Sequence, residues 1–186
     1  TLGNPDCIPI DYFSHGPGSI VFAPDKTLFF AVGDGASFDE VDDLALRAQD
    51  LDQYSGKILR VDRDGNGVPS NPHWNGDPDS IRSRVYARGL RNPFRFTLRP
   101  GTMTLQIGDV GWYIYEELNV GGAGANFGWP CYEGAAPQPD YQPKSVCQAL
   151  YAQGPGAVTA PFHAWEHINF GTAAAVGGPS ASLTNF

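Results

Sequence analysis

The sequence predicts an all-β chain: a fragment of a β-propeller with about two to three blades, each an antiparallel four-stranded sheet. Three observations predict it. Short runs of β-branched and aromatic residues recur along the chain, each stopped by a turn signal. Helix-forming runs are scarce, and Gly (23) with Pro (16) takes about a fifth of the 186 residues. A hairpin with a shared exit also occurs twice. Phe22-Ala23-Pro24, a turn and Val32-Gly33-Asp34-Gly35 are echoed by Leu98-Arg99-Pro100, a turn and Ile107-Gly108-Asp109-Val110-Gly111. Proline and aspartate are 10 residues apart in the first copy and 9 in the second. Repeated hairpins of this kind are the sequence signature of propeller blades, which take about 40–45 residues each in rings of roughly four to eight. With loops as long as those of this chain, 186 residues give two or three blades and cannot close such a ring. Its first expected partner is therefore the remaining blades of a longer parent chain.

The elements follow in order. Ile20–Ala23 and Leu28–Val32 form a hairpin around Pro24-Asp25-Lys26-Thr27. The strand Lys57–Asp62 ends at Asp64-Gly65-Asn66-Gly67, and Arg84–Ala87 is a short strand. Phe94–Arg99 and Met103–Ile107 form the second hairpin around Pro100-Gly101-Thr102, and Glu116–Val120 is a further strand. Asp42–Leu51 is the one helical stretch expected. Pro69–Asp79 and Gly134–Pro161 read as long loops.

Composition narrows the partners. The net charge is −8 and the pI about 4.7. Nucleic-acid binding needs a basic footprint and is not expected. No apolar run approaches the length of a membrane span, so no membrane insertion is expected. Cys131 and Cys147 stand 16 apart in a Gly/Pro-rich stretch and suit a loop-closing disulfide, which leaves Cys7 over. That pairing favours a secreted or periplasmic location. With Thr1 first and no leader in view, the chain is expected to be processed or excised.

Counting outward from the turns brings polar residues together. His15 lies 10 residues before the first turn centre, near Asp25, and Asp34 lies 9 after it. Residues equidistant from a turn face each other across the ladder. Around Gly101, Arg91 and Asn92 lie 10 and 9 before, and Asp109, Val110 and Gly111 follow 8 to 10 after. Equivalent hairpins in neighbouring blades would place both clusters on one rim. A His facing a carboxylate is a base with its orienting group. An Arg-Asn pair can clamp an anionic, carbonyl-rich ligand. A structural hydrogen bond is the plainer alternative for the His-Asp pair.

These residues resemble a known family. His15-Gly-Pro-Gly-Ser-Ile-Val-Phe22-Ala-Pro-Asp25 with Val32-Gly33-Asp34 is similar to the entry blade of the glucose/sorbosone dehydrogenases. Further matches follow in the family's order. They are Ala48-Gln49-Asp50-Leu51 with Ser55-Gly56-Lys57-Ile58-Leu59-Arg60, then Tyr86-Ala87-Arg88-Gly89-Leu90-Arg91-Asn92-Pro93, Gly108-Asp109-Val110-Gly111, Glu116-Glu117-Leu118-Asn119 and Ala125-Asn126-Phe127-Gly128-Trp129-Pro130. The resemblance is strongest over residues 15–130, within a partial propeller domain taken to span residues 1–186. It implies a six-bladed ring and PQQ-dependent oxidation of a sugar or other small polyol, with an external electron acceptor. It implies His15 as the base, Asp34 as its carboxylate partner, and Arg91 and Asn92 as residues holding pyrroloquinoline quinone (PQQ). Backbone carbonyls at Gly111 and Trp112 would hold the Ca2+ that polarises the quinone. Alone, the chain is expected to be inactive, because half of that pocket lies outside it. Val110 and Trp112 depart from the pattern of the sugar dehydrogenases. They leave an alternative function, a non-catalytic propeller that binds a glycan or protein partner on the same rim.

Other motifs carry less. Asp62–Gly67 imitates half of an EF-hand loop but lacks the closing Glu and the flanking helices, so it reads as a turn. His163 and His167 have helical metal-ligand spacing in a segment that reads as strand or loop. The acidic run Asp39, Glu40, Asp42 and Asp43 reads as a solvated loop and helix N-terminus, with a second calcium site as the alternative. Ala173–Phe186 does not match the strand expected there.

Overall fold

The computed structural model describes residues 7–8, 12–167 and 174–178. Two four-stranded antiparallel sheets dominate. The first runs β1 (Pro17–Phe22), β2 (Leu28–Val32), β3 (Lys57–Val61) and β4 (Val85–Arg88), with one helical turn, α1 (Ile81–Arg84), ahead of β4. The second starts at β5 (Arg95–Leu98), β6 (Leu105–Asp109) and β7 (Tyr115–Gly121). An excursion follows, with a small hairpin of β8 (Tyr132–Glu133) and β9 (Ala136–Pro137) and the helix α2 (Ser145–Tyr151). β10 (His163–Glu166) then pairs with β7 and completes the sheet in the order β10-β7-β6-β5. These are two propeller blades.

Alternation along the strands builds the seam between them. In β2, Phe29 and Ala31 point to one side and are fully buried. They join Ile58, Tyr86, Leu90, Phe96, Leu105 and Ile107 in one apolar cluster drawn from both sheets. Val32, Leu59 and Val85 pack with Tyr54 in a separate cluster. Each fully buried aliphatic or aromatic side chain of this size stabilises the fold by about 1.5–3 kcal/mol. β1 lies against β5, where the Phe96 N–H donates to Ser19 Oγ at 3.1 Å.

The expected strands and hairpins form with ends within three residues of those expected, the largest difference being β1, which starts at Pro17 and not at Ile20. The helix expectations change. Asp42–Leu51 forms a 3-10 helix over Asp43–Gln49, capped by the Asp42 side chain. A regular helix appears instead at α2, inside the expected loop Gly134–Pro161. α2 is held by tertiary contacts: Cys147 and Leu150 are buried, and Cys147 is disulfide-bonded to Cys131. Cys7 is an exposed free thiol. Asp62–Gly67 is a turn, with the Asp62 carboxylate accepting from the N–H groups of Asp64 and Asn66. Of the final stretch, residues 174–178 are described. Ala175 is buried there, and its N–H donates to Glu116 Oε2 at 2.5 Å. Ala173 and residues 179–186 lie outside the described residues. Among the described residues, no helix is long and apolar enough to cross a membrane.

Candidate functional site

The first hairpin brings His15 to Asp34. β1 and β2 pair Pro17 with Val32, and the Gly33 N–H donates to Gly16 O at 3.1 Å. The same register sets His15 Nδ1 2.7 Å from Asp34 Oδ1, with both residues buried. In the neutral ring an accepting carboxylate at this place sets the proton on Nδ1 and leaves the lone pair on Nε2. The local backbone is unusual. His15 sits at φ 55°, a left-handed conformation costly for a residue with a side chain. Gly33 permits it, because a Cβ there would stand 2.2 Å from His15 O.

Asp34 is fully buried and fully used. Its Oδ1 also accepts from the Ala36 N–H at 3.1 Å, and its Oδ2 accepts from Trp129 Nε1 at 2.8 Å. Its backbone N–H donates to Arg91 O at 2.8 Å, which joins the two hairpins at the rim.

The second hairpin brings Arg91 and Asn92 to Asp109. Both backbone N–H groups donate to its carboxylate, Asn92 at 2.7 Å and Arg91 at 3.1 Å. The Arg91 side chain turns inward. Nη1 donates to Gly111 O at 2.6 Å and Val110 O at 3.2 Å, and Nη2 donates to Phe38 O at 3.2 Å. Its guanidinium lies 5.5 Å from the Trp129 ring centroid. Burial lowers the Arg91 pKa, while Asp34, Asp109, Glu133 and Glu116 pull it back up. Asn92 is half-buried.

The loop after β6 is cradled by carboxylates. Glu133 Oε1 accepts from the N–H groups of Trp112 and Ile114, both at 2.9 Å, and of Tyr115 at 3.1 Å. Glu116 Oε2 accepts from the Gly111 N–H at 3.3 Å, and its Oε1 meets His167 Nε2 at 2.7 Å. His163 instead stacks on Trp165, so the two histidines form no pair.

All six sequence-predicted site residues therefore gather around one seam, with different partners. At Gly111 a calcium ion would meet the Arg91 guanidinium, which donates to the same carbonyl and would repel a dication there. Among the described residues, no group of three His, Cys, Asp or Glu side chains is arranged to hold a metal. A ligand rich in carbonyl and carboxylate oxygens fits better. Arg91 Nε is a buried donor that finds no acceptor, and the half-buried Asn92 amide follows it in the chain. Trp129 and Glu133 were not singled out for any role by the sequence. Trp129 lies 95 residues from Asp34, and no local spacing links the two.

The profile described as Glucose / Sorbosone dehydrogenase matches residues 10–180. The HIPL2 protein of Arabidopsis thaliana is 36% identical over 139 residues, which is 65% of this chain and 19% of the relative. Quinoprotein glucose dehydrogenase B of Acinetobacter calcoaceticus is 29% identical over 128 residues, covering 62% of this chain and 26% of the relative. The solved PQQ-bound aldose sugar dehydrogenase of Streptomyces coelicolor superposes with a TM-score of 0.57 at 28% identity, over 82% of this chain and 36% of that one. The chain thus spans between about a fifth and a third of the length of these relatives.

Proposed function

This chain belongs to the glucose/sorbosone dehydrogenase family, and on that premise we propose that it carries the base-bearing wall of a site that oxidises a sugar hydroxyl with PQQ. The observation that carries the reading is the buried His15–Asp34 pair, set on the seam to which Arg91 and Asn92 also come.

His15 Nε2 takes the proton of the hydroxyl being oxidised, and Asp34 holds the ring by Nδ1 and stabilises the imidazolium that forms. The chemistry that bound PQQ would supply is acceptance of the hydride leaving the same carbon. Proton and hydride together account for the two hydrogens lost as alcohol becomes carbonyl. The Asn92 amide and Arg91 Nε would donate to the oxygens of that ligand. An external electron acceptor completes the turnover. The disulfide supports a place in an oxidising compartment, secreted or periplasmic.

The test is dye-linked oxidation of a panel of aldoses by the full-length protein, with PQQ added or omitted. Oxidation that requires PQQ is the expected result. No oxidation by a folded, PQQ-supplied protein would overturn the reading. A second reading, a rim that binds glycan without chemistry, is favoured by one observation. Phe13, 85% exposed, stacks on Tyr12 and meets Phe38 edge-on two residues from His15. Oligosaccharide binding in calorimetry without oxidation would establish it.

A further inference from the structure

We infer that Trp129 is a positioning residue for the base, acting through its indole N–H on Asp34; this rests on the proposed role of His15. The carboxylate of Asp34 has two oxygens with different duties. Oδ1 holds His15 Nδ1 at 2.7 Å and the Ala36 N–H at 3.1 Å. Oδ2 takes Trp129 Nε1 at 2.8 Å. Without that indole donor, an oxygen of a fully buried carboxylate would lose a hydrogen bond that water cannot easily replace. Rotation of the carboxylate toward another donor would then pull Oδ1 off the imidazole. The indole fixes the orientation of the carboxylate, which keeps an accepting oxygen on His15 Nδ1 and so keeps the proton on that nitrogen.

The indole is itself held from several sides. The Trp129 backbone N–H donates to Gly89 O at 3.0 Å, and its backbone carbonyl accepts from Gln49 Nε2 at 2.7 Å. Trp112 and Tyr141 pack near its ring with centroids at 6.1 and 5.5 Å, and the Arg91 guanidinium lies 5.5 Å from it. Two residues on, Cys131 is tied to α2. Trp129 itself is 5% exposed. Its donor is thus aimed before any substrate arrives, which is where an oriented dipole is most effective. Packing needs only the ring of Trp129. The carboxylate needs the nitrogen.

That distinction sets the experiment, made on the full-length protein. Replacing Trp129 by benzothienylalanine puts sulfur in place of the N–H and keeps the ring's shape. We expect kcat for sugar oxidation to fall about 10- to 100-fold with KM changed less than about twofold, and His15 to shift from the Nδ1–H tautomer toward a mixture by nitrogen NMR. A variant with wild-type kcat and an unchanged His15 tautomer would overturn the inference. Two further readings need no activity. The Trp129 indole proton, assigned as the resonance lost in Trp129→Phe, should exchange far more slowly than an exposed indole. It should also move on Asp34→Asn. An indole proton exchanging at the solvent rate in the wild type would overturn the inference. Should the wild type oxidise no sugar, the proposed activity fails, and the exchange and tautomer readings alone decide for or against Trp129.

Discussion

Asp109 stands directly across the β6–β7 ladder from Glu117, so two buried carboxyl groups face each other on one side of the sheet. Burial raises both pKa values. Asp109 goes well above its ordinary value, with Glu117 adding to the effect, and Glu117 rises from 4.5 to about 7. The folded chain therefore holds a proton that the unfolded chain loses. The contribution of this pair to stability is full below about 4.5 and is lost as the pH rises through 7. Glu117→Gln should flatten this decline and stabilise the protein at pH 8 by about 1–3 kcal/mol. The new amide also finds an acceptor, since Asn119 Oδ1 is buried without a partner and reaches it by a half-turn of the Asn119 amide. Urea unfolding at pH 5 and pH 8 checks both statements. A variant with the wild-type pH slope would refute the protonated pair.

His15→Asn is the informative change at the base. Asn tolerates the left-handed backbone at φ 55°, where Ala is strained. In the full-length protein we expect sugar oxidation to fall by about 10²–10⁴ with PQQ affinity retained. Steady-state kinetics beside a PQQ titration separates the two, and unchanged turnover removes His15 from the chemistry.

Lys57 is a buried cation with three carbonyl acceptors. Its Nζ donates to Ser55 O at 2.6 Å and to Arg47 O and Ala48 O, both at 2.9 Å. It thereby closes the end of the 3-10 helix, and burial holds its pKa well below the usual lysine value. Lys57→Met removes Nζ from Ser55 O, while Arg47 O and Ala48 O keep the N–H groups of Asp50 and Gly89, and should cost about 1–3 kcal/mol. Thermal unfolding gives the loss, and hydrogen exchange should show it centred on residues 43–49.

Opening the disulfide should loosen the excursion more than the blades. The bridge spans 16 residues, and losing it should cost about 3 kcal/mol. Cys147→Ser, followed by proteolysis, should give cuts within residues 131–158 before any in the two sheets. Cuts distributed evenly would show that the excursion and blades open together.

Much of this was legible in the residues because hairpins are local. His15 and Asp34 flank one turn at nearly equal distances, and in the structure they meet at 2.7 Å. Arg91 and Asn92 met Asp109 for the same reason. What failed to show was what the chain does across long separations. α2 is seven residues long, too short for a helical period to be read, and no side chain caps its start. Its burial beside Cys131 is what makes it a helix. The inward turn of Arg91 onto Gly111 O was equally hidden, because a carbonyl's occupancy has no sequence signal. Trp129 reaches Asp34 from a different blade connection, where no spacing rule applies.

The left-handed backbone at His15 has a consequence for reading relatives of this chain. With Gly33 pressed against it, position 15 excludes β-branched residues whatever their chemistry, and it disfavours Ala. Asn, Asp and Gly fit. A lineage that abandons the base without rebuilding this hairpin should thus carry Asn, Asp or Gly there. Such a replacement would mark a retired base, and a β-branched residue would mark a rebuilt loop.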